Sequence, residues 1–315
     1  MIELARLTIR CVDRFLFSAC EPSVCALFRI SYSILMIVNV AVWMLDGPLW
    51  FSGEGVLGSE LAARLEDPPG WSLLFYLPDT PLMIHVSLAL MMVQSCCLLF
   101  GCWSRFQIAC LFVWLTSFHH RNPLICDGED TVFRLFAFIM IFMPLDARWS
   151  IRARRTKNVH LGQSHCWALR LIQAEMAVLY ASSAWSKFQG SMWHDGTALF
   201  GVSQMTDYYG RGWIPSFVFQ TPNLAMALSW SVIILEAALP LTLWFSATRR
   251  IAIFAGIGFH LALEYSMNLF LFEWLMIVGL LSFSQPSDWT WWQTMIGRGR
   301  WVRTANGTGG KTGSQ

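Results

Sequence analysis

At 315 residues, 55% hydrophobic and 15% aromatic against 13% charged, with a mean hydropathy of +0.48, the chain is too apolar for an ordinary soluble domain. A formal net charge of +2 without any basic block gives no surface for nucleic acid. Nine cysteines fall almost entirely within or beside apolar runs, with only Cys126 in a polar loop, so no structural disulfide framework is expected.

The opening MIELARLTIRCVDRFLF sets Arg6, Arg10 and Arg14 four residues apart, opposite Ile2, Ile9, Val12 and Leu16. That period predicts an amphipathic helix lying in the membrane interface over residues 1–21. No cleaved leader is read, because the long apolar run begins only after Pro22 and no small-residue cleavage site precedes it. A helix needs roughly 20 apolar residues to cross the hydrocarbon. Apolar runs at 22–45, 82–101, 106–118, 131–144, 164–187, 223–245, 251–268 and 270–283 predict eight spans. Between the first two, the Gly, Pro and acidic residues of DGPLWFSGEGVLGSELAARLEDPPGW break the pattern around a short helix at 58–65. The expected fold is therefore all-α: a polytopic membrane bundle of about eight transmembrane helices over residues 22–285, followed by a polar cytoplasmic tail at 286–315.

Basic residues fix the expected orientation. Alternate loops hold 15 of the 22 Lys and Arg residues, among them Arg105, Arg148, Arg152, Arg154, Arg155, Arg249 and Arg250, while the opposite side holds Arg64, Arg121 and Arg211. This bias predicts that both termini are cytoplasmic and that the chain is integral to the plasma (inner) membrane of a bacterium.

Ionisable residues inside spans are expensive and normally face a protein interior, a partner or water. Counted from the loop ends, His85, Arg134, Lys187, His260, Glu264 and Glu273 fall in the outer half, and Glu236 lies near mid-span. The outer half is thus expected to hold a polar pocket. The third and fourth spans are short, and the loop between them, HHRNPLICDGED, is read either as dipping inward to line a site or as a thick cover over late-starting helices. His260 and Glu264 are one helical turn apart, a spacing at which imidazole and carboxylate can meet, in a structural hydrogen bond or in catalysis. Glu236 is read as a tie to Arg170 or Arg134, or as a neutral acid. His119 and His120 are expected to be solvated loop residues, and no CxxC, HxxxH or HExxH motif supplies a metal site. The Trp289, Trp291 and Trp292 group reads as an aromatic belt.

Four stretches carry a family resemblance: FRISYSILMIVNVAVW with WFSGEGVL, FRLFAFIMIFMPLDARWS, FHLALEYSMNLFLFEWLMIVGLLSF, and above all YASSAWSKFQGSMWHDG. Together they resemble the horizontally transferred transmembrane (HTTM) family, whose best-understood members are the vitamin K-dependent gamma-glutamyl carboxylases. The last stretch matches the carboxylases' tyrosine, small-residue run and lysine ahead of a tryptophan-acid-glycine group, here Tyr180, Lys187, Trp193 and Gly196. The resemblance implies a base role for Lys187 and a reduced quinone as the cofactor class. His260 and Glu264 are read with it as further catalytic groups of the outer-half pocket, and Asp127, Asp130, Arg134, Tyr180, Trp193 and Glu236 as its substrate-binding residues. Asp127, Gly128 and Glu129 stand where the carboxylases have an asparagine-asparagine-histidine run, and a large extramembrane domain is not expected, so protein carboxylation is not expected either.

Three function classes follow. The first is a membrane enzyme acting on a quinol or another lipid-like amphiphile in the outer-half pocket. The second is a non-catalytic scaffold for a protein partner of unknown kind. The third, a small-solute transporter, is disfavoured because the two halves show no inverted repeat.

Overall fold

A computed structural model describes residues 2–17, 21–65, 70–155, 167–205, 214–215, 217–285 and 288. The expected tail beyond Asp288, the Trp289 to Trp292 aromatic group, Lys157 and Arg211 lie outside those residues. Among the described residues every regular element is helical. Helix α1 runs Ile2–Phe17, and eight further helices sit at the eight predicted runs. They are α2 (Pro22–Phe51), α3 (Pro81–Phe100), α4 (Ser104–Arg121), α5 (Gly128–Met140), α6 (Trp167–Gln189), α7 (Pro222–Thr242), α8 (Arg249–Ser266) and α9 (Phe272–Leu281). Three of these, α2, α3 and α7, are both long and apolar enough to cross a membrane on their own.

The boundaries follow local chemistry. Proline at the first helical turn starts α2, α3 and α7, where its missing N–H costs nothing. Thr80 caps α3 by accepting from the Met83 N–H. Gly101 ends α3 in the left-handed conformation at φ +71°, and this makes the tight GCWSR turn into α4. The third span is longer than its apolar run suggested, because α4 continues through His119, His120 and Arg121.

Outward faces are apolar. On α3, Leu82, Val86, Leu90 and Val93 recur at helical spacing and are all exposed, forming a lipid-facing stripe. The inward stripe of α2 is Phe28, Tyr32, Met36 and Val40, at most 1% exposed, and it packs chiefly against α3. Apolar burial gives little drive between helices surrounded by lipid, so close packing and interhelical hydrogen bonds must supply it. Tyr32 donates to the Phe133 carbonyl at 2.8 Å, and Gln173 donates to that of Ser282 at 2.7 Å.

Polar networks tie each end of the bundle. At one end Arg29, fully buried, donates to the carbonyls of Leu145 (3.2 Å) and Trp149 (2.6 Å) and lies 3.9 Å from Asp146. Asp146 also accepts from the Ser104 backbone N–H and hydroxyl. At the other end Arg121 donates to the Leu57 carbonyl at 3.0 Å, and Asn122 donates to that of Trp50 at 2.9 Å. Ser72 and Ser117 join the 52–80 loop to α4. The 52–80 loop is thus tied to the end of α4, while Leu124 and Ile125 of the α4–α5 connection stay exposed.

Candidate functional site

The candidate site is built on one face of α6, where Tyr180, Ser183, Ala184 and Lys187 recur at spacings of three and four. At the end of that face Lys187 donates to Glu236 on α7, 2.8 Å from Oε2 and 2.9 Å from Oε1. Lys187 also donates to the Ser183 hydroxyl, which in turn donates to Glu236 Oε1 at 3.2 Å. Glu236 is buried and the lysine side chain is 21% exposed. The Trp193 ring lies 5.3 Å from the ammonium and adds a cation–π contact. The carboxylate expected to find a cation thus finds Lys187, while Arg170 donates to Gln173 and lies over the Phe15 ring of α1.

The residues after Lys187 fold back so that Trp193 can reach it. His194 stacks on Trp230 of α7 at 5.3 Å, and Trp230 donates to the His194 carbonyl. Asp195 accepts from the Thr197 hydroxyl and backbone N–H, which hold its carboxyl below the usual carboxylate range. Gly196 has φ +80°, and a Cβ there would stand 2.5 Å from the backbone nitrogen of Met226. The tryptophan-acid-glycine group is thus a tryptophan aimed at the lysine, a turn, and a glycine that lets the chain lie against α7.

Two turns earlier on α6, about 10 Å along its axis, is a second buried group. The Tyr180 hydroxyl lies 2.6 Å from His260 Nε2, and His260 Nδ1 meets Glu273 Oε2. A carboxylate at Nδ1 accepts that N–H, which leaves Nε2 to accept the tyrosine proton. Glu273 is fully buried, and its Oε1 has no hydrogen-bond partner among the described residues. This corrects the expected pairing within α8: the carboxylate that meets His260 is Glu273 of α9, while Glu264 is half-buried one turn beyond the histidine.

The α4–α5 connection supplies the third group. Asp127 caps α5 by accepting from the Glu129 N–H, and Asp130 Oδ2 accepts from the Asp127 N–H, closing a reciprocal capping box. Glu129 reaches across to α9 and accepts from the Leu271 N–H at 3.0 Å. His119 is buried rather than solvated, with Nε2 3.2 Å from Asp130 Oδ1. Donor atoms of His119, Cys126 and Asp130 all lie within 4.8 Å of one another. No sequence motif announces them, since they come from a helix end, a loop and the next helix start. Arg134 is half-buried one turn after Asp130, and His85 is exposed on α3.

A cavity of about 570 Å³ opens beside the first two groups, lined by Leu199, Val202, Val218, Leu228, Phe259 and Leu263 among others. Lys187, Glu236 and His260 do not line it; α7 and α8 present their neighbouring residues to it.

Apolar outward stripes enclosing buried ionisable groups at one end define a helical membrane protein. The HTTM domain matches residues 70–289, and the chain belongs to that family. It is similar to the sporulation-delaying protein SdpB of Bacillus subtilis (strain 168), 22% identical over 187 residues, which are 56% of this chain and 57% of that protein. The chain thus aligns with little more than half of that relative's length. No solved structure matches the chain.

Proposed function

We propose that this chain is a membrane enzyme acting on an amphiphile, a reduced quinone or a lipid, with the Lys187–Glu236 pair as its proton acceptor. The observation that carries the reading is the pair itself, a half-buried lysine and a buried carboxylate held together with Ser183. A tie between helices needs no such pair, because apolar residues of similar volume are often as stabilising as a buried ion pair. Within the pair a proton can pass from ammonium to carboxylate, leaving a neutral amine without creating net charge, and the two groups titrate as a unit. The amine then takes the proton of a substrate hydroxyl as that O–H bond breaks, and the resulting oxyanion faces the regained ammonium. The Tyr180–His260–Glu273 chain is the second proton-carrying group, seven residues away on the same face of α6.

The neighbouring cavity supports an amphiphile, since its volume falls within the roughly 300–1,000 Å³ typical of ligand sites. Its α7 wall, Leu228, Ser231 and Val232, lies one to two turns before Glu236. Similarity to a bacterial relative and the bias of 15 basic residues against three support a bacterial plasma membrane with both termini cytoplasmic. Reporter fusions after Ala153 and after Ser203 test this orientation: the first is expected to stay inside and the second to be exported.

The scaffold reading has one observation of its own, that Lys187 and Glu236 satisfy each other away from the cavity wall. The deciding experiment is complementation of a deletion strain at matched membrane abundance. Lys187→Arg keeps the charge but cannot release a proton at physiological pH, so it is expected to fail as a base and to succeed as a scaffold. Full complementation by Lys187→Arg would remove the base role. Quinone or lipid extracted with the wild-type protein and identified by mass spectrometry would name the substrate class.

A further inference from the structure

We propose that His119, Cys126 and Asp130 bind a zinc ion. Each offers one donor atom, and these atoms all lie within 4.8 Å of one another at the end of α4, in the loop and in the first turn of α5. His119 and Asp130 are buried and Cys126 is half-buried. Such a cluster needs evidence that it points to a ligand, and His119 supplies it. Its Nε2 is buried and has no hydrogen-bond partner among the described residues, although Asp130 Oδ1 is only 3.2 Å away, because the oxygen lies off the line that a hydrogen bond requires. A metal ion between the two atoms satisfies both.

The surroundings fit that role. Asp130 Oδ2 is held by the Asp127 N–H at 3.1 Å, which fixes the carboxylate with Oδ1 toward His119. The Cys126 thiol donates to the His119 carbonyl at 3.7 Å and to that of Asn122 at 3.5 Å, a proton that zinc binding displaces, and the edge of the Trp43 indole packs on the imidazole. One nitrogen, one sulfur and one oxygen are a borderline donor set that suits zinc, whereas calcium and magnesium take oxygen ligands. A thiolate and a carboxylate together carry two negative charges, so the zinc complex is neutral, which favours it among buried apolar residues. Tetrahedral bonds of about 2.0–2.3 Å place donors roughly 3.3–3.8 Å apart, so binding closes the widest gap by about 1 Å. Three protein ligands leave the fourth position for water or a substrate, as in catalytic rather than structural zinc sites. None of these residues belongs to the Lys187–Glu236 pair, so this proposal and the base role stand or fall separately.

The test uses the full chain in detergent, stripped with chelator, reloaded with Zn²⁺ alone and measured by plasma mass spectrometry. Wild type and the control Cys97→Ser are expected to bind one equivalent. Cys126→Ser and His119→Gln are expected to bind at least as much more weakly as the roughly 100-fold upper end seen on losing an outer-shell partner. Loading wild type with Co²⁺ should give a sulfur-to-metal charge-transfer band that Cys126→Ser lacks. A monodisperse wild type that takes up neither ion, or both variants binding like wild type, overturns the proposal. Should Cys126→Ser not fold, a wild-type Co²⁺ spectrum without the sulfur band overturns it equally.

Discussion

Glu129 of α5 accepts a hydrogen bond from the backbone N–H of Leu271, 142 residues away, and in doing so caps α9, which has no side-chain cap of its own. The first N–H groups of a helix have no intrahelical acceptor. Glu129→Ala is expected to destabilise the protein by about 1–3 kcal/mol by leaving a buried N–H unmatched. Glu129→Gln keeps an acceptor and is expected to cost less. Thermal unfolding in detergent, followed by the loss of monodisperse protein, ranks wild type, Gln and Ala in that order if the cap matters.

That contact shows what the sequence made legible and what it did not. Helices and their order follow from apolar run length, and all eight runs became helices because length and period are local properties. That Lys187 and Tyr180 share one helix was legible from the apolar run that holds them. Their partners were not, because Glu236 and His260 arrive from helices 49 and 80 residues away in sequence. The one-turn rule pairs His260 with Glu264, but the carboxylate at its Nδ1 is that of Glu273 on the next helix, across the turn between α8 and α9. The His119–Cys126–Asp130 group has irregular spacing, so only the fold could assemble it. Asp127, Gly128 and Glu129 became a cap, a helix start beside Phe272 and the tie to α9.

Gly101 joins the opposite end of the bundle. A Cβ there would lie 2.2 Å from Arg29 Nη1 and 2.8 Å from the Ser150 Cα, in a left-handed conformation that side chains rarely adopt. Gly101→Ala must therefore strain the turn and displace a buried arginine from its two carbonyls, and a cost above about 1–3 kcal/mol is expected from the backbone alone. Yield of folded protein from membranes should fall sharply, whereas Gly258→Ala, with open space around its Cβ position, should behave like wild type.

Tyr180→Phe removes only the hydroxyl that meets His260 Nε2, leaving the ring in place. The loss of one buried hydrogen bond is expected to cost about 1–3 kcal/mol. If the group carries protons, function falls further than stability does, and complementation at matched abundance reads that difference. Equal losses in Tyr180→Phe and in an equally destabilised variant elsewhere would assign the chain a structural role alone.

The Lys187–Glu236 pair permits a sharper test, because breaking and deleting a buried pair have different consequences. Removing one partner leaves the other as a buried uncompensated charge, so Lys187→Ala and Glu236→Ala are each expected to destabilise by about 3–5 kcal/mol. The lysine's partial exposure lets water reach the pair, which puts the lower part of that range in view. Removing both leaves no orphan charge, and Lys187→Met with Glu236→Leu is expected to recover most of the stability. A double-mutant cycle on thermal unfolding therefore gives a coupling well above the about 0.3–0.5 kcal/mol within which independent sites add. The double variant also separates packing from chemistry in one protein, since it is expected to fold and yet fail to complement. Additive single effects would show that the two residues do not act as a pair, and full complementation by the folded double variant would show that the pair carries no chemistry.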